Sequence, residues 1–153
     1  MSTGSTAWGA SFNSLELAID APAEVVWDLL FERSAWMTMQ VSRTVVEGED
    51  RSVGAISKIV LQVDDAQVER LEALHLVEQH RRLVVRFWSE SALGGGLTDY
   101  QLRLSKSGVV LQVTVFGFYT GDAVAYSAEM ENFAQSKIES DYSRLKKLAE
   151  TTR

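Results

Sequence analysis

The sequence predicts an α+β fold: a curved antiparallel sheet of six to seven strands around one long C-terminal helix, with two short helices after the first strand. Three observations carry this expectation. Residues 41–119 alternate with period two and are broken only by short turns, and strands joined by short turns pair antiparallel. Residues 122–150 contain neither Gly nor Pro and repeat apolar side chains at helical spacing. The single proline, Pro22, stands immediately before a second helical pattern, AEVVWDLLFER.

The elements follow in order. Residues 1–12 are Ser-, Thr- and Gly-rich at their start and read as a flexible lead-in, leaving one domain over 13–150. Residues 13–20 alternate, with Leu15, Leu17 and Ile19 on one face, as in a half-buried strand. Pro22 is pre-organised for the first helical turn, and Glu24 and Asp28 put negative charge near the helix start. Val25, Val26, Leu29 and Leu30 form its apolar stripe. The helix is expected to end near Arg33, with a second short helical turn over 34–39. Strands then follow at 41–48, 54–63, 67–78, 83–91, 97–105 and 109–119. Their turns fall at 49–52, 64–65, 79–82, 94–96 and 106–108, where charged residues or glycine collect. Asp122 is a suitable N-cap for a helix running to Glu150, about 40 Å at about 1.5 Å per residue. Lys146 and Lys147 lie near its C-terminal end, where cations are favoured.

Composition narrows the functional classes. Apolar residues make up 46% of 153, enough for a substantial core. The absence of cysteine excludes disulfides, thiolate zinc sites and cysteine nucleophiles. His75 and His80, the only histidines, make a poor metal pair, so no metal is expected. A net charge of -6 disfavours a nucleic-acid partner, and Arg81-Arg82 is too short a basic run to reverse that. No segment reaches the roughly 20 apolar residues of a membrane span, and the start lacks the pattern of a secretory signal. A soluble, cytoplasmic monomer or homodimer is expected. Gly94-Gly95-Gly96 is not followed by a helix or by Lys-Ser/Thr, so it reads as a strand connection and not as a phosphate loop.

Several motifs carry a family resemblance. They are Ala21-Pro22-Ala23-Glu24-Val25-Val26-Trp27, Val53-Gly54-Ala55, Glu69-Arg70-Leu71, Asp99-Tyr100 and the closing Leu145-x-x-Leu148-Ala149-Glu150. Over residues 13–150 the chain resembles the START/Bet v 1-like (SRPBCC) superfamily, in its polyketide cyclase/dehydrase and lipid-transport branch. The resemblance implies a helix-grip fold whose internal cavity takes a small hydrophobic molecule without a cofactor. It also implies that Glu69 and Tyr100 face that cavity. Alternation then brings Leu71 and Ala73 in with Glu69, and Thr98, Leu102 and Leu104 in with Tyr100. By the same alternation Val85, Phe87 and Ser89 share one face, and Leu111, Val113 and Val115 another. Arg86, Glu90, Gln101, Arg103, Gln112 and Thr114 fall on the polar, opposite side.

The candidate site follows. Glu69 among apolar neighbours would have a raised pKa and could act as general acid or base, or could simply orient a ligand. In members resembling plant lachrymatory-factor synthases this glutamate pairs with an arginine on the preceding strand; here Ser57 stands at that position. Tyr100 could donate to a ligand carbonyl, or be a core tyrosine. His75 shares the Glu69 face if no bulge intervenes. Ser57, Leu71, Phe87 and Val113 are expected in the wall, Trp36 and Met37 at the entrance, and Met130, Phe133 and Ala134 on the covering helix. Lys137 either pairs inward or snorkels to water. Three functions fit: a carrier or sensor of a hydrophobic molecule, a cofactor-free cyclase, dehydratase or isomerase using Glu69 and Tyr100, and a protein-interaction module like the Hsp90-activator relatives.

Overall fold

The computed structural model describes residues 8–63, 65–89, 95–120 and 127–152, with side chains for 12–62, 65–89, 95–117 and 136–152. Within them run β1 (Trp8–Ile19), α1 (Ala23–Phe31), a 3-10 turn (Arg33–Ala35), β2 (Gln40–Glu47), β3 (Ile56–Val63), β4 (Ala66–Glu78), β5 (Arg82–Trp88), β6 (Gly95–Leu104), β7 (Val109–Thr120) and α2 (Ser127–Thr151). The strands form one sheet in the order β1-β7-β6-β5-β4-β3-β2, and every neighbouring pair is antiparallel. From β2 to β7 the chain meanders. β1 returns against β7 in unbroken register from Trp8↔Thr120 to Ile19↔Val109. The first and last strands are thus neighbours, and α1 with the 3-10 turn spans the gap from β1 to β2 at the other edge. This is the helix-grip arrangement.

Local chemistry explains the short helices. The Pro22 carbonyl accepts from the Val25 N–H at 3.1 Å, and Pro22 holds φ at -63° just ahead of the first turn. Val26, Trp27, Leu29, Leu30 and Phe31 bury the stripe against the core. The chain leaves helical geometry at Glu32 and tightens into the 3-10 turn, so the second helical segment is shorter than the 34–39 expected. The tightening turns Arg33 inward and buries Trp36 completely, its Nε1 donating to the Leu29 carbonyl at 2.7 Å.

The core sits between the inner face of the sheet, α1 and the C-terminal half of α2. Leu83, Val85, Tyr100, Leu111 and Val113 meet Tyr142, Leu145 and Ala149 there. Fully burying each such aliphatic side chain contributes about 1.5–3 kcal/mol. α2 is also pinned to β1: Lys146 Nζ donates to the Ala18 carbonyl at 2.7 Å, and the Asp20 N–H donates to Glu150 Oε2 at 2.9 Å.

The structure corrects several boundaries. β1 begins at Trp8, so residues 8–12 belong to the sheet and not to a lead-in. Gly95 and Gly96 lie within β6 and not in a turn. A Cβ on Gly96 would fall 1.9 Å from the Phe116 carbonyl oxygen and 2.7 Å from Phe87 Cζ, so only glycine fits there. Leu104 ends β6 at 85% exposure instead of joining the inner face. Gly94, Glu90 and the proposed Asp122 cap lie outside the described residues.

Candidate functional site

Strand β4 decides what faces inward. Its burial pattern places Arg70, Glu72 and Leu74 on the inner side, while Glu69, Leu71 and Ala73 face out. The register then slips between Leu74 and Leu76, a bulge that leaves His75 exposed and returns Val77 to the core. Glu69 is therefore not a cavity residue. Its side chain is 64% exposed and pairs with Lys58 at 2.8 Å across the outer face. Leu71 faces out with it.

The buried carboxylate is Glu72. It lies opposite Ser57 in the β3–β4 register, and both are buried. An arginine does meet it, but from the 3-10 turn and not from the preceding strand. Arg33 Nη1 donates to Glu72 Oε1 at 2.8 Å, and Arg33 Nη2 donates to Oε2, a bidentate fork with both residues at least nine-tenths buried. Arg70 Nη2 approaches Glu72 Oε1 at 3.3 Å. Burial is the largest influence on Glu72 and pushes its pKa up. The guanidiniums of Arg33, Arg70 and Arg43 together outweigh it and hold the carboxyl below its ordinary range. Burial likewise opposes the Arg33 charge, and Glu72 overcomes it, keeping that guanidinium protonated. Space beside the pair amounts to about 10 Å³, room for roughly one water. This end of the inner face is filled.

Tyrosines extend the polar wall. The Tyr142 hydroxyl of α2 donates to the Tyr100 hydroxyl of β6 at 3.2 Å, with both rings buried. Burial holds the Tyr142 pKa well above the usual phenol value, with Tyr100 adding to the shift. The Trp36 ring packs 4.9 Å from that of Tyr142.

The other end of the inner face is different. One cross-strand row runs Ser57↔Glu72, Glu72↔Phe87, Phe87↔Gly96, Gly96↔Gly117, Gly117↔Ser11. Past Phe87 the row therefore has two glycines side by side. The adjoining row runs Val85↔Thr98, Thr98↔Val115, Val115↔Asn13. Phe87, Thr98, Val115, Asn13 and Leu15 are all only half-buried, whereas Tyr100, Leu111 and Val113 further along the same strands are at most 1% exposed. Among the described residues, burial on the inner face falls from the α1 end toward the glycine end.

The remaining expected residues distribute as follows. Tyr100, Ser57, Phe87 and Val113 face inward; Trp36 is core, and Met37 packs against it. The side chains of Met130, Phe133 and Ala134 lie outside the described residues, though all three belong to α2. Lys137 donates to Thr38 Oγ1, and that hydroxyl donates to Asp141 Oδ1 at 3.3 Å, tying α2 to the segment after the 3-10 turn. His75 lines a cleft of about 500 Å³ with Arg86, Phe87, Trp88, Gly95, Gly96 and Leu97, at the sheet end where the two glycines lie. Among the described residues no helix is long and apolar enough to cross a membrane. Arg33 and Glu72 had no place in the expected site. The one available signal was Glu72 itself, the second carboxylate of Glu69-Arg70-Leu71-Glu72.

No family model matches the chain, and no curated protein matches its sequence. Solved structures do match its shape. Ara h 8.0201 aligns with a TM-score of 0.67 at 13% identity, covering 90% of this chain and 98% of the other. A protein of unknown function from Staphylococcus aureus aligns at 0.76 and 9% identity, covering 95% and 96%. An uncharacterized protein from Rhizobium leguminosarum aligns at 0.73 and 12% identity, covering 94% and 97%. At such identities the likeness is one of fold, the Bet v 1-like helix-grip fold over nearly the whole chain.

Proposed function

We propose that this chain binds a small hydrophobic molecule between the open end of the sheet's inner face and α2, as a cytoplasmic carrier or sensor. The observation that carries this reading is the gradient of burial along the inner face. Apolar and weakly polar side chains (Phe87, Thr98, Val115, Leu15) stay half-buried beside a pair of glycines, on the concave side where a folded core would ordinarily close. An apolar surface with few polar groups is the usual character of a small-molecule site.

The test is binding of a neutral apolar fluorophore, N-phenyl-1-naphthylamine. Wild-type protein should enhance its emission at one-to-one stoichiometry. Val115→Trp, which adds bulk to the half-buried row, should lower that affinity at least about tenfold while leaving the near-ultraviolet circular dichroism native. An unaltered affinity in the Trp variant would place the molecule elsewhere.

A second reading, a cofactor-free cyclase, dehydratase or isomerase, is favoured by one detail. Tyr100 accepts from Tyr142, which leaves its own proton to donate. On that reading Tyr100→Phe lowers turnover and Glu69→Gln does not, because Glu69 is on the outer face.

A further inference from the structure

We propose that the bound molecule carries an anionic head, a carboxylate, which pairs with Arg70; this deepens the pocket reading above and rests on it. Charge around the buried glutamate Glu72 does not balance among the described residues. Arg43 and Arg70 both register with Ile59, one from β2 and one from β4. With Arg33 they put three guanidiniums around Glu72. Asp50 pairs with Arg43. Among the described residues three cations thus face two carboxylates, and one positive charge is left over. It resides on Arg70. Arg33 already occupies both oxygens of Glu72. Arg70 reaches only Oε1, at 3.3 Å, and its Nε is buried without a partner among the described residues.

The position of Arg70 is as informative as its charge. Its guanidinium lies 5.0 Å over the Phe87 ring, and Phe87 is the residue from which the row passes to Gly96 and Gly117. Arg70 therefore stands where the filled polar end meets the half-open apolar end. At 25% side-chain exposure it is accessible, yet incompletely solvated. A guanidinium largely withdrawn from water gains most from a planar, bidentate anion. The chain as a whole carries a net charge of -6, so this surplus is local to the interior and not a general property of its surface. A molecule with an apolar body along Phe87 and the glycine pair and a carboxylate at Arg70 would satisfy both ends.

The experiment compares dodecanoate with dodecanol, probes of equal chain length and unequal charge, by native mass spectrometry and calorimetry at pH 7.5. Wild-type protein should bind dodecanoate about tenfold or more tightly than the alcohol. Arg70→Gln should bring the two affinities together. Arg70→Lys, which keeps the charge and loses the fork, should leave an intermediate preference and serves if the Gln variant does not fold. Arg103→Gln, an exposed outer-face control, should keep the full preference. Equal binding of acid and alcohol by wild-type protein overturns the anionic head and leaves the apolar pocket standing. Binding of neither overturns both. A preference that survives in Arg70→Gln also overturns the assignment.

Discussion

Glu69 and Glu72 stand three residues apart on β4 and meet opposite environments. One reaches water and Lys58; the other is 3% exposed and locked to Arg33. Removing one partner of a buried pair leaves an uncompensated charge and costs about 3–5 kcal/mol, whereas an exposed pair is worth about 0–1 kcal/mol. Glu72→Gln is therefore expected to lower urea-unfolding stability by about 3–5 kcal/mol, and Glu69→Gln by less than about 1 kcal/mol. The pH dependence follows from the same geometry. The folded pKa of Glu72 lies below the ordinary 4.5, so its stabilisation is complete above that value and is lost as pH falls through the folded pKa. Denaturation midpoints measured from pH 6 down to pH 2 should show this acid limb in the wild type and a shallower one in Glu72→Gln. The choice between the two glutamates was not legible locally. Both registers of 68–77 bury apolar side chains: Leu71 and Ala73 in one, Val68, Leu74 and Leu76 in the other. Alternation is decisive only when one face is polar.

At the scale of elements, α2 grips the sheet through its last turns. Leu145 and Ala149 are fully buried, and Lys146 and Glu150 bind the end of β1. Leu145→Ala should cost about 2–5 kcal/mol, read as a drop in the midpoint of chemical unfolding. Exposed edges are handled differently. β1 is covered by α2 near its C-terminal end, while β2, the other edge, is interrupted by register shifts between Gln40 and Ser42 and between Val45 and Glu47. These shifts leave Val41 and Val46 more than half exposed. Such irregularity twists an edge away from pairing with another chain. Helical and strand periodicity made these elements readable, because each has one face that must leave water. The bulges were not readable, since the extra residue depends on how a neighbouring strand pairs.

At the scale of the molecule, burial on the inner face is graded among the described residues. The fully buried end contains α1, the 3-10 turn and the Arg33–Glu72 pair; the half-buried end contains Phe87, Thr98 and Val115 beside two adjacent glycines. On the proposed binding reading, filling the half-buried end should affect binding more than folding. Val115→Trp is expected to keep its unfolding free energy within about 1.5 kcal/mol of wild type, because Val115 is only half-buried at the margin of the core. A loss of about 3 kcal/mol or more would mean that this end is core.

From the sequence alone came the class of fold, the order of strands and helices and the alternating faces of β5, β6 and β7, Leu104 excepted. These depend on local periodicity and on short turns, which each segment encodes alone. Tertiary structure decided the rest. It drew residues 8–12 into the sheet because β7 offered them a partner strand. It set the register of β4 through the bulge at His75. It also supplied the missing arginine from a 3-10 turn 39 residues away in sequence from Glu72, a pairing that no strand pattern predicts because a buried charge is matched in space and not along the chain.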